Sequence, residues 1–148
     1  MTLRPLFPAL IAALVAGFAG AAQADDAAAL AAAAKEPGAV TTPSGIVVRT
    51  LKEGTGASPK ATDTVKVNYK GMLPDGTKFD ASADHGGPIT FPLNRVIPCW
   101  TEGVQKMKVG GKAKLTCPSA IAYGPRGAGG VIPPNATLVF EVELVAVN

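Results

Sequence analysis

The sequence predicts an α+β fold: a bent antiparallel β-sheet half-wrapped around one short α-helix. Three observations predict it. From Ile46 onward, apolar residues recur at every second position in short segments. Glycine and proline turns divide those segments, and a single stretch has helical spacing instead. No internal repeat and no βαβ alternation is present, which argues against a nucleotide-binding sheet.

Ahead of that pattern, residues 1–24 read as an export signal. Arg4 supplies the positive charge, "LFPALIAALVAGFAG" supplies an uncharged apolar run, and Ala22-Gln23-Ala24 ends it with the small-x-small pattern that precedes cleavage. The rival reading, a membrane anchor, is weakened by the shortness of the run and by Pro8. No cysteine follows to suggest a lipoprotein anchor. The expectation is a periplasmic or secreted protein, cleaved after Ala24, with no stable membrane insertion afterwards. Residues 25–45, "DDAAALAAAAKEPGAVTTPSG", form an Ala-rich linker, flexible or a short helix ended by Pro37-Gly38. Residues 46–148 are then one domain, long enough to bury a core.

Within the domain, "TVKVNY" sets Val65, Val67 and Tyr69 on one face and Lys66, Asn68 and Lys70 on the other. Asp75-Gly76 marks a turn before "KFD", so a hairpin-like reversal follows. The helical stretch comes next. Trp100, Val104 and Met107 fall at i, i+4 and i+7, with Gln105, Lys106 and Lys108 on the polar side and Gly110-Gly111 as the stop. "KAKLTC" places Ala113, Leu115 and Cys117 inward and Lys112, Lys114 and Thr116 outward. The last segment puts Leu138, Phe140, Val142 and Leu144 on one face against Glu141 and Glu143.

Composition excludes several chemistries. Basic residues outnumber acidic ones only 14 to 11, and one of the 14 is Arg4, which is too small an excess to imply nucleic acid. The lysines at 106, 108, 112 and 114 have no aromatic residues between them and read as a solvated face. His85 is the only histidine, so neither a Ser/His/Asp relay nor a histidine-based metal site can be drawn; beside Gly86-Gly87 it reads as an exposed loop residue. "GPRGAGG" lacks the Lys-Ser/Thr of a phosphate loop. Asn135-Ala136-Thr137 matches the N-glycosylation pattern by chance.

What stands out is a set of aromatic and branched residues in turns and at element ends: Phe79, Val96-Ile97, Tyr123 and Val131-Ile132. Concave sites are built at such places. The two cysteines, Cys99 before the helix and Cys117 on the following strand, suggest one disulfide in an exported protein, against the alternative of two buried thiols. Nothing resembles a Cys-x-x-Cys redox motif.

Five ordered stretches, "VNYKGMLPDGTKFDAS", "VIPCWTEG", "KMKVGGKAKLTCP", "AYGPRG" and "VIPPNATLVFEVELVAV", resemble FKBP-type peptidyl-prolyl cis-trans isomerases, especially the exported bacterial members. The resemblance runs from about Ile46 to Val147. It implies an enzyme that needs no cofactor or metal and acts on X-Pro bonds of unfolded or nascent exported proteins. It further implies that Trp100 floors a proline pocket walled by Tyr69, Phe79, Val96, Ile97, Tyr123 and Phe140. Asp80 and the Ile97 amide would be its polar contacts, and Ile132 and Val131 would form a flap over it. Catalysis would fall to Asp80, Phe79, Tyr123 and Trp100.

Three positions depart from the family pattern: His85 replaces a common arginine, Ile89 an aromatic pocket residue, and Ala128 a flap histidine. Many members have glycine where Cys99 stands. These departures bear on affinity for the family's macrolide inhibitors more than on turnover. The alternative function is a peptide-binding or chaperone module that uses the same pocket.

Overall fold

A computed structural model of the chain describes residues 21–128 and 131–148. The proposed signal segment therefore lies almost wholly outside the described residues. Helix α1, Ala21–Ala34, runs through the expected cleavage position, and alanine is the residue that costs least to place in a helix. Among the described residues, no helix is long and apolar enough to cross a membrane.

Among the described residues, seven strands form one sheet. They are β1 (Ala39–Thr41), β2 (Val47–Lys52), β3 (Thr64–Met72), β4 (Lys78–Ala81), β5 (Ile89–Pro92), β6 (Lys112–Cys117) and β7 (Leu138–Val147). The order is β1-β2-β6-β7-β3-β4, with β5 pairing to another part of β3, and every pair is antiparallel. Register shifts at Thr50/Lys52, Lys66/Val67 and Gly71/Met72 insert irregularities that bend the sheet. Its concave face receives the short helix α2, Pro98–Val104.

The core follows the alternation seen in the sequence. Val65, Val67, Ala113, Leu115, Cys117, Leu138, Phe140, Val142 and Leu144 are buried on the inner face. Trp100, Val104 and Met107 are buried against them, although the helix itself ends at Val104. Gly103 allows the close approach: a Cβ there would lie 2.9 Å from Leu115 Cδ1. Cys99 and Cys117 are joined, with Cα atoms 5.8 Å apart, so the start of α2 is tied covalently to the end of β6. The predicted turn is present. Gly76 has φ of 92°, and Asp75 Oδ1 accepts the Thr77 amide at 2.9 Å.

Two findings go beyond the alternation. The sheet begins at Ala39, inside the stretch read as a linker, because Thr42–Gly45 turns the chain so that β1 pairs with β2. Thr116, expected outward and solvated, is 2% exposed. It does lie on the outer face, opposite the equally buried Val47, but helix α1 contacts β1, β2 and β6 there and brings Ala33 into burial. Glu36 anchors this corner, accepting from Lys114 Nζ at 2.9 Å and lying 3.6 Å from Arg49.

Candidate active site

The site begins with α2. Pro98 supplies the first helical residue without needing a hydrogen-bond partner, and Thr101 Oγ1 donates to Leu93 O at 2.7 Å, fixing the helix against the preceding loop. Trp100, in the first turn directly before Thr101, is therefore set in place, 4% exposed. Three rings meet it nearly at right angles: Tyr69 at 5.3 Å, Phe140 at 5.4 Å and Phe91 at 5.6 Å between centroids. Phe79 packs edge-on to Phe140 at 5.7 Å. Edge-to-face contacts of this kind add to the stabilisation from burial alone.

Gly71 on β3 makes the last pair feasible. A Cβ at that position would come 2.6 Å from Phe79 Cζ and 3.0 Å from Phe140 Cε1. The glycine leaves space above the sheet for both rings, and the register shift at Gly71/Met72 falls at the same point.

These rings enclose a cavity of about 500 Å³, lined by Tyr69, Phe79, Asp80, Phe91, Arg95, Val96, Ile97, Trp100, Tyr123 and Phe140. Eight of the residues singled out from the sequence thus converge. Ile89 does not line the cavity. It lies opposite Val67 on β5, and Phe91, two residues along the same face, supplies the ring instead. Val131 and Ile132 are likewise absent from the wall: Val131 is 56% exposed, whereas Ile132 is packed into the core and bridges to Ala128. Phe91 and Arg95 were missed by the sequence reading. The alternation Ile89-Thr90-Phe91 was the available signal for Phe91, and nothing local marks Arg95.

One wall is polar. Asp80 Oδ2 accepts from the Tyr69 hydroxyl at 2.6 Å, and Oδ1 accepts from the Ala81 amide at 2.9 Å and lies 2.8 Å from His85 Nε2. Partial burial raises the Asp80 pKa, but the Tyr69, His85 and Ala81 hydrogen bonds outweigh it, and the net displacement is below the ordinary carboxylate value. Tyr69 is displaced upward, first by burial and then by its bond to Asp80, so its hydroxyl remains a donor. His85, expected as a free loop residue, is instead brought to Asp80 by the 3-10 turn Ser82–His85.

Two donors at the site have no partner among the described residues. The Trp100 indole Nε1 is buried and unpaired, and the Ile97 amide makes no hydrogen bond. An unpaired buried donor such as the indole N–H is uncommon, and the Ile97 amide, on a half-buried residue lining the cavity, is the donor open to a ligand acceptor.

Comparison with known proteins accords with this geometry. Residues 56–145 match the family model described as FKBP-type peptidyl-prolyl cis-trans isomerase. An FKBP-type isomerase, FkpA of Aeromonas hydrophila, is 62% identical over 119 residues, which is 80% of this chain but 44% of that relative. The chain therefore spans less than half the length of that relative. A peptidyl-prolyl cis-trans isomerase from Pseudomonas syringae has a solved structure with TM-score 0.81 and 42% identity, covering 86% of this chain and 94% of its own. The crystal structure of FkpA from Escherichia coli matches with TM-score 0.76 and 42% identity over 99% of this chain and 71% of that one. The chain belongs to the FKBP-type peptidyl-prolyl cis-trans isomerase family.

Proposed function

We propose that the protein accelerates cis-trans rotation about X-Pro bonds in exported proteins, holding the proline ring non-covalently over Trp100. The observation that carries this reading is the convergence of six aromatic rings, the Asp80 carboxylate and Ile97 on one cavity of about 500 Å³. Such a cavity holds a proline with its flanking residues outside, and it contains no group that must attack a bond.

Rotation needs none. The barrier of roughly 20 kcal/mol arises from amide resonance, which the twisted transition state gives up. Water stabilises the planar, charge-separated amide more than the twisted one, so transfer into an apolar aromatic cavity narrows the gap between them. In this reading the Ile97 amide donates to a substrate carbonyl, supported by the place of Ile97 in the cavity lining, and Asp80, held by three hydrogen bonds, lines the same cavity. In this reading Asp80, Phe79, Tyr123 and Trp100 act on the reacting amide. Val131 and Ile132 form a flap that meets the flanking chain, a role supported by the exposure of Val131. The cavity is also proposed to accept macrolide inhibitors of the family, with contacts altered at His85, Ile89 and Ala128.

Export rests on residues 1–24, read as a signal peptide cleaved after Ala24, and on a disulfide of the kind that persists in oxidising compartments. Slow X-Pro steps limit folding there, which supplies the substrate class. The test is the rate of cis-to-trans conversion of short X-Pro peptides with the purified protein and with Phe79→Ala. Acceleration that the variant loses supports an isomerase acting through this cavity. Peptide binding without acceleration makes it a binding or chaperone module.

A further inference from the structure

His85 and Asp80 form an imidazole–carboxylate pair at the cavity, whose wall Asp80 lines. Asp80 lines the cavity, and its side chain is 39% exposed; His85 Nε2 lies 2.8 Å from its Oδ1, and the imidazole is 53% exposed. Since the Asp80 carboxylate is an acceptor, Nε2 carries the proton and donates, and it does so in the neutral imidazole as well as in the imidazolium. Titration at the other ring nitrogen therefore changes the charge of the pair from −1 to 0 without breaking the bond that positions the carboxylate. The Tyr69 hydroxyl and the Ala81 amide hold the carboxylate independently.

The other charged groups around the pair are Asp84, Lys78 and Arg95. Asp84, beside His85, is paired with Lys78 Nζ at 3.1 Å. Arg95 lines the cavity with a guanidinium, and the phenols of Tyr69 and Tyr123 line it as well. The pair is thus the variable element, with both side chains partly exposed beside the cavity.

We propose that His85 determines specificity: its protonation state sets how strongly the pocket favours a basic over an acidic side chain next to the substrate proline. With a neutral imidazole, the uncompensated Asp80 carboxylate attracts a neighbouring lysine and repels a glutamate. With an imidazolium, the pair is neutral and the preference relaxes. Arg95 adds a constant offset, so the informative quantity is the change with pH. This inference rests on the isomerase reading above.

The experiment compares two peptides that differ only in Lys or Glu before proline, both side chains staying mainly ionised at about pH 5.5 and pH 8. In the wild-type protein, the ratio of kcat/KM for Lys-Pro over Glu-Pro is expected to be about two- to fivefold higher at pH 8 than at pH 5.5, the scale of a half-exposed charge contact. His85→Arg keeps the lower ratio at both pH values. His85→Gln, neutral and still a donor, keeps the higher ratio at both. An unchanging wild-type ratio overturns the inference, as does a His85→Gln ratio that follows the wild type.

Binding of the same peptides, followed by fluorescence of Trp100, the sole tryptophan, separates the two readings. A Kd ratio that shifts with pH, without rate acceleration, overturns the isomerase reading and supports the charge selection. Acceleration with a constant ratio does the reverse. Neither binding nor acceleration overturns both.

Discussion

The two faces of the sheet handle polar groups in opposite ways. On the outer face, opposite charges are set in register: Lys112 against Glu143, Lys114 against Glu141, and Lys70 against Glu141 on the other side. Asn68 donates to Glu143 at 3.0 Å, and Glu36 of the N-terminal segment closes the corner with Lys114 and Arg49. On the inner face, around Trp100, rings crowd together while the Trp100 indole N–H and the Ile97 amide have no partner among the described residues. The outer face spends its polar groups on itself and supports the fold. The inner face leaves donors unpaired, which a purely structural core avoids.

The disulfide gives the largest expected effect on stability. Replacing both cysteines by alanine frees the loop between positions 99 and 117, and a loss of about 2–4 kcal/mol is expected from the urea midpoint. Because the bond lies beneath the helix rather than in the cavity wall, the folded fraction is expected to retain isomerisation within about twofold. A larger loss would place the bond among the groups that position Trp100.

Gly71→Ala strikes the inner face directly. The added methyl must displace Phe79 and Phe140, so destabilisation of about 1–3 kcal/mol is expected, as for other overpacked sites. The peptide isomerisation rate should fall by about tenfold, equivalent to roughly 1.4 kcal/mol at the transition state. An unaffected rate would show that the two rings do not shape the reacting site.

Glu36→Ala probes the outer face and should do the opposite. It removes a partly exposed ion-pair cluster, so up to about 1 kcal/mol of stability is expected to go in thermal melts, with isomerisation unchanged. Altered activity would mean that the corner under α1 communicates with the cavity.

The smallest effect concerns acid. The Asp80 pKa is lowered on folding, so its contribution to stability is present above the unfolded-state value, about 3.9, and is lost as pH falls through the lower folded-state value. Wild type and Asp80→Asn should therefore differ in stability near neutral pH and converge in strong acid. A difference that persists there would contradict the role assigned to its hydrogen bonds.

These contrasts also show what a single chain makes legible. The inner face was readable because burial on one side imposes period two: Val65, Val67, Leu115, Val142 and Leu144 are all where alternation put them. Trp100 was readable from its place at a helix start. Thr116 was not, because the helix that covers its corner comes from a distant part of the chain, as the Glu36–Lys114 bond shows. The contact of His85 with Asp80 was hidden because a four-residue 3-10 turn leaves no periodic trace. Phe91 was overlooked in favour of Ile89 because alternation puts both on one face and cannot say which ring reaches Trp100.

The most direct test of the central claim is nuclear magnetic resonance of an Ala-Pro peptide with the protein, reading cis-trans exchange and contacts in the same sample. Exchange should be accelerated, with intermolecular cross-peaks from the proline ring to the Trp100 indole and the Phe79 ring. Accelerated exchange without those cross-peaks would put the site elsewhere on the molecule, and cross-peaks without accelerated exchange would make this a binding pocket rather than an isomerase.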